Sequence, residues 1–95
     1  MALLFTWDPE KARSNLAKHS VSFDEGLTVF GDPLASMLDD DDHSEDERRE
    51  IVVGFSARQR LVVVSFSERE KVIRLISARV ANPRERRKHE EAPRR

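Results

Sequence analysis

Apolar positions in this chain come in short runs, and their spacing changes along its length. Ala2 to Trp7 (ALLFTW) is a brief apolar run that stops at Asp8-Pro9, which predicts a strand followed at once by a helix. Asp8 suits the N-cap, Pro9 the first helical position, and Glu10 the positive end of the helix dipole. Ala12 and Leu16, four apart, give that helix a thin apolar face up to about His19. Ser22-Phe23-Asp24-Glu25 has the form of a capping box, and Phe23, Leu27 and Phe30 predict a second, shorter helix. Gly31-Asp32-Pro33 ends it.

Leu34 to Leu38 is read as a strand. The pattern then changes to runs rich in Val and Ile: Arg49–Phe55 (REIVVGF), Leu61–Phe66 (LVVVSF) and Val72–Ala78 (VIRLISA). Short polar turns separate them, which predicts an antiparallel meander. Asn82-Pro83-Arg84-Glu85 opens a last helix with an N-cap, a proline at N1 and an acid at N3, and the helix should reach about Glu91. The expected order is β-α-α-β-β-β-β-α. This is an α+β domain, an antiparallel sheet with two N-terminal helices and one C-terminal helix, spanning residues 1–91. Residues 92–95 should fray.

Composition narrows the picture. The chain has 95 residues, enough for one modest core, and no cysteine, which excludes a disulfide framework and a thiolate zinc site. The start, MALLFTW, lacks a signal-peptide pattern, and no apolar run approaches the ~20 residues of a membrane helix, so a cytoplasmic protein is expected. Charge is unevenly spread. Residues 1–47 carry twelve acidic against three basic side chains, a net of −9, and residues 48–95 six against fourteen, a net of +8. That asymmetry fits a polyanionic partner for the basic half, or two halves that fold together and mix their charges over one surface. The run Asp39 to Glu47 (DDDDHSEDE) lacks the spaced ligands and glycine turn of a calcium loop and reads as a solvated loop, so no metal is expected. With three glycines and no phosphate-cradling loop, no nucleotide cofactor is expected either.

The candidate chemistry is basic. Lys18-His19 stands where the first helix stops. Such a pair caps the negative end of the dipole, for roughly 0.3–1 kcal/mol, or serves as an acid–base group. Arg74 sits within VIRLISA and Arg79 at its end, either paired with Glu47, Glu50 or another acid, or forming a phosphate-binding face. Five residues apart, they point to opposite faces of a straight strand, and only a bulge or twist brings both to one site. Trp7 is half-buried core or a platform for a base.

The segments WDPEKARSNLAKHSVSFDEGLTVFGDP, ERREIVVGF and RLVVVSFSEREKVIRLISARVANPRER together resemble BrnT-type toxins of bacterial toxin–antitoxin pairs. The most specific parts are Trp7-Asp8, Asn15 with Lys18-His19, Phe23, Phe30, Asp32-Pro33, Ile76-Ser77-Ala78-Arg79 and Glu85-Arg86. The resemblance implies a RelE-like fold and a ribonuclease that arrests growth by cutting RNA and inhibiting translation. It implies a BrnA-like ribbon-helix-helix antitoxin, in a complex of two toxins and two antitoxins that meets operator DNA only through the antitoxin. Carried over by position, Lys18, His19 and Arg79 become catalytic candidates, and Trp7, Arg60, Arg74 and Arg86 candidates for RNA or phosphate binding. Three positions depart from the family pattern. Ser20 stands where a glycine commonly follows the histidine, Gln59 replaces a turn glycine, and His89 stands where many members have a tyrosine. The alternatives are a non-catalytic module that holds nucleic acid or a partner, and a catalytically degenerate homologue.

Overall fold

The computed structural model describes residues 4–39 and 49–91. In chain order these form β1 (Leu4–Thr6), α1 (Pro9–His19), α2 (Phe23–Thr28) with a 3-10 turn at Val29–Gly31, β2 (Ser36–Asp39), β3 (Glu50–Phe55), β4 (Leu61–Arg69), β5 (Val72–Val80) and α3 (Pro83–Glu91). The element order is the expected one. The acidic run from Asp40 on and the last four residues lie outside the described residues.

Local signals explain most boundaries. The Asp8 carboxylate accepts from the Glu10 N–H at 2.9 Å, and the Ser22 hydroxyl from the Glu25 N–H at 2.9 Å. At α3 the capping box is reciprocal: Glu85 N–H donates to Asn82 Oδ1 at 2.8 Å, and Asn82 N–H to Glu85 Oε1 at 3.0 Å. In α2 only the forward half of the box forms, because the Glu25 side chain is used elsewhere.

One five-stranded sheet has the order β1-β5-β4-β3-β2. β2 to β5 form the antiparallel meander. β1 instead joins parallel to β5, through Leu4–Val72, Phe5–Ile73 and Thr6–Arg74, so the sheet is mixed. Whether a lone N-terminal strand pairs parallel or antiparallel depends on the route of the intervening chain, which local patterning does not record.

The sheet is covered unequally. On one face α1, α2 and the 3-10 turn enclose the larger core of Val21, Phe23, Val29, Val52, Val64, Phe66 and their buried neighbours. Aromatic rings link it: Phe30 lies 5.1 Å from Phe5 and 5.0 Å from Phe66, centroid to centroid. On the other face α3 lies over a small cluster of Val53, Leu61 and Val63, flanked by Ile51 and Ala81. An apolar cavity of about 230 Å³ remains there, lined in part by Leu38, Ile51, Val53, Val63 and His89.

The packing of α1 differs from the expectation. Leu16 is 51% exposed, while Asn15 is 7% exposed. β1 covers β5 only as far as Arg74, so the N–H and C=O of Ala78 on that edge still need partners. Asn15 supplies both: its Nδ2 donates to Ala78 O at 2.8 Å and its Oδ1 accepts from Ala78 N–H at 3.1 Å. A leucine side chain offers neither group.

Candidate functional site

The last turn of α1 carries Lys18 and His19, three and four residues after Asn15, so all three share one helix face. Since Asn15 is bonded to Ala78, that face is turned toward the far end of β5, where Arg79 follows. Lys18 is exposed and His19 half-buried. Neither side chain has a hydrogen bond or ion pair within the described residues. The helix stops at Ser20, which adopts the left-handed conformation (φ 59°, ψ 28°) and closes the turn with its N–H on Leu16 O. Glycine favours this conformation; other L-residues pay a steric penalty of roughly 1–2 kcal/mol. Two bonds hold the turn in place: Arg60 Nη2 donates to Ser20 O at 2.9 Å, and Asn15 Nδ2 to Val21 O at 2.9 Å.

Arg60 is fixed in turn by Glu25, whose carboxylate is buried. Arg60 Nε donates to Glu25 Oε2 at 2.9 Å, and Arg60 Nη2 bonds Glu25 Oε1. The Ser56 hydroxyl adds a bond of 2.7 Å to Oε2, and the exposed Arg58 stands 3.9 Å away. The hydrogen bond from Arg60 outweighs burial and holds the Glu25 carboxyl below its ordinary range. The same bond raises Arg60. The turn between β3 and β4 that presents Arg60 contains Gln59 at φ 66°, so both positions where the resemblance led one to expect glycine, 20 and 59, are left-handed here.

β5 carries the second group of residues. Opposite Ser65 lies Ser77, and opposite the next residue, Phe66, lies Leu75, so Ile76 is an unopposed extra residue. This β-bulge resets the alternation of side chains. Ile73, Leu75 and Ala78 enter the larger core, and Arg74, Ser77 and Arg79 all fall on the α3 face. Their partners on that face are Ser67 and Thr6 beside Arg74, Ser65 beside Ser77, and Val63 beside Arg79. Arg79 makes a two-pronged pair with Glu85 on α3, both bonds 2.7 Å. That pair lowers the Glu85 carboxyl and raises Arg79, in each case with the hydrogen bond as the main cause. A guanidinium has five N–H donors, so Glu85 leaves part of the fork unused. Arg74 is exposed and has no ion pair or hydrogen bond within the described residues. Glu50, considered above as its partner, lies opposite Phe66 and thus on the other face; Glu47 is outside the described residues.

The remaining expected residues are spread more widely. Trp7 is half-buried and meets Phe23 edge-on at 5.8 Å and 79°. Arg86 is on the exposed part of α3, 4.0 Å from Glu90. His89 is buried on the sheet-facing side of α3, with Nδ1 3.2 Å from Ser36 Oγ and its ring edge-on to Phe55 at 6.3 Å. Among the described residues its Nε2 has no hydrogen-bond partner, and it is sealed from solvent. Among the described residues no three His, Asp or Glu side chains converge on a metal site, and no helix is long and apolar enough to cross a membrane.

Sequence reasoning missed the supporting groups. Periodicity and capping patterns gave Asn15 no role and made Glu25 half of a capping box. The only hint of Asn15 was its place in the family pattern beside Lys18-His19.

These features define a small α+β domain with guanidinium groups on one face of its sheet and a Lys-His pair at a helix end across the edge of β5. Within that class the chain belongs to the family of BrnT ribonuclease toxins of type II toxin–antitoxin systems, whose model matches residues 7–85. Membership implies a partner antitoxin. The fold is that of the Brucella abortus ribonuclease toxin BrnT, known from a crystal structure. The two superpose with a TM-score of 0.65 at 20% identity, over 85% of this chain and 99% of that one. At that identity the likeness concerns the fold alone. No curated protein matches the chain significantly.

Proposed function

We propose that this protein is an endoribonuclease that cuts single-stranded RNA without a metal, by attack of the 2′-OH on the adjacent phosphate to leave a cyclic phosphate. The reaction needs a base for the 2′-OH, positive charge around the phosphorane, and an acid for the departing 5′-oxygen. Lys18 and His19 take the acid–base roles, a class of contribution on the order of 10²–10⁴-fold. Arg79 and Arg74 hold the phosphate and the chain beside it, and the basic α3, with Arg86, draws RNA in. Trp7, edge-on to Phe23, is not assigned a base.

One observation carries this reading. The bulge at Ile76 puts Arg74 and Arg79 on one face, at the strand whose far end Asn15 joins to the Lys18-His19 turn. The half-buried hydroxyls of Ser65 and Ser77 between the two arginines suit the phosphate oxygens of a phosphodiester, which accept hydrogen bonds and donate none. In the cell, growth arrest follows from loss of translatable RNA in the cytoplasm. A BrnA-like ribbon-helix-helix antitoxin, in a complex of two toxins and two antitoxins, restrains the activity and supplies the contact with operator DNA.

The test uses one oligonucleotide sequence as RNA and as DNA, with EDTA present. RNA cut to a 2′,3′-cyclic end, with DNA untouched, is expected. Equal cutting of DNA rules out 2′-OH attack, and activity abolished by EDTA rules out the metal-independent form. Binding of RNA without any cutting favours the non-catalytic module.

A further inference from the structure

We propose that Arg60 is a positioning residue: clamped by Glu25, it holds the left-handed Ser20 turn and thereby aims the Lys18-His19 end of α1. The inference rests on the acid–base reading of Lys18-His19 given above, and it moves Arg60 out of the set of phosphate contacts. Three facts support it. Arg60 spends Nε and Nη2 on the buried Glu25 carboxylate, and Nη2 also on Ser20 O. Ser20 directly follows His19 and occupies a backbone region that glycine enters freely and serine does not. Glu25 is itself anchored from two elements, by Ser56 at the β3–β4 turn and by its place in α2.

The arrangement has a sequence logic. A glycine at position 20 would adopt this turn without help. A serine there needs the turn held from outside, and a planar guanidinium can reach a carboxylate and a carbonyl together. A lysine ammonium could satisfy Glu25 but lacks the rigid fork that spans both acceptors.

The experiment compares the full-length wild type with Arg60→Lys, Ser20→Gly and the double variant. It measures kcat and KM for an RNA substrate, the salt dependence of binding to the same sequence as DNA, and amide hydrogen exchange at residues 18–21. Circular dichroism confirms the fold. Arg60→Lys should lower kcat by between about tenfold and 10²-fold, the scale of a small misplacement of reacting groups, with KM and the salt slope unchanged. Exchange at 18–21 should accelerate. Ser20→Gly alone should behave as the wild type, and in the double variant it should restore most of kcat.

A phosphate contact predicts the opposite: a raised KM in Arg60→Lys, a salt slope lowered by about 0.7 in the charge-removing Arg60→Gln, and no rescue by glycine. That result, or an Arg60→Lys protein with unchanged kcat and exchange, overturns the proposal. Should Arg60→Lys fail to fold, Glu25→Gln gives a second route, since it loosens the clamp with Arg60 still present; loss of kcat with rescue by Ser20→Gly is again expected, and loss without rescue overturns the proposal. If the wild type cuts no RNA, the functional reading fails, and the exchange data still decide whether Arg60 holds the turn.

Discussion

The two faces of the sheet solve different problems. The α1/α2 face is closed: Phe66 and Leu75 are each 1% exposed, and the polar groups buried there, Asn15 and Glu25, have partners for the atoms they bury. The α3 face is half open. A small Val-Leu cluster and a cavity lie under the helix, while Arg74 and the hydroxyls of Thr6, Ser65, Ser67 and Ser77 share that face with them. A charged group can stay available for a ligand only where it has not been sealed or fully paired, and burial without pairing is costly. Stability is therefore concentrated on one face and accessible charge on the other, with the α1 end at the boundary.

Stability measurements can break this contrast. Phe66→Ala should cost about 3–5 kcal/mol in denaturant unfolding, the range for a large aromatic side chain lost from a dense core. Val63→Ala, on the α3 face beside the cavity, should cost only about 1.5 kcal/mol, since it removes two methyl-sized groups at ~0.8 kcal/mol each. Equal losses would mean that the faces are not energetically distinct.

Activity should show the reverse order. Arg79→Ala should reduce cleavage by about 10²–10³-fold, equivalent to ~2.7–4 kcal/mol of lost charge stabilisation. Arg74→Ala should act chiefly on binding, lowering the salt slope by about 0.7 with a modest change in kcat. If Arg74→Ala leaves binding to RNA untouched, the open face is not a binding surface.

Acid separates the two ion pairs. Glu25 and Glu85 both have lowered carboxyl pKa values in the folded state. Each thus contributes stability that is full above the unfolded value, near 4.3, and is lost as pH falls from there through the folded value. Glu25→Gln should flatten the acid limb of the stability–pH curve more than Glu85→Gln, because the Glu25 side chain is 4% exposed and that of Glu85 30%. A larger change from Glu85→Gln would place the more important pair on the open face. The smallest effect is expected for Arg86→Ala, whose exposed pair with Glu90 is 4.0 Å long; thermal unfolding should shift by no more than about 0.5 kcal/mol in stability.

Legibility in the sequence followed the range of the interactions. The caps at Asp8, Ser22 and Asn82 could be read because a cap is settled within three or four residues. The left-handed positions at 20 and 59 were equally local: a glycine expected by the family pattern marks a backbone shape, whichever residue occupies it. The packing of α1 was read wrongly at Leu16, because periodicity assumes that a helix docks by apolar contact. The partner of Asn15 lies 63 residues away on a strand edge.

What the sequence determined by itself was the order of elements, the caps that start the helices, the meander and the stock of cations in the second half of the chain. Strand ends were less well determined: β2 begins two residues later, and β4 and β5 run two to three residues further, than their apolar runs suggest. Only the tertiary structure decided that β1 joins in parallel, that Glu25 turns from its own helix to Arg60, and that a bulge at Ile76 sets Arg74 and Arg79 on one face. The reason is physical. A helix cap or a turn is selected by energies among near neighbours, whereas strand register, edge satisfaction and buried ion pairs are selected by groups that meet only once the whole sheet has closed.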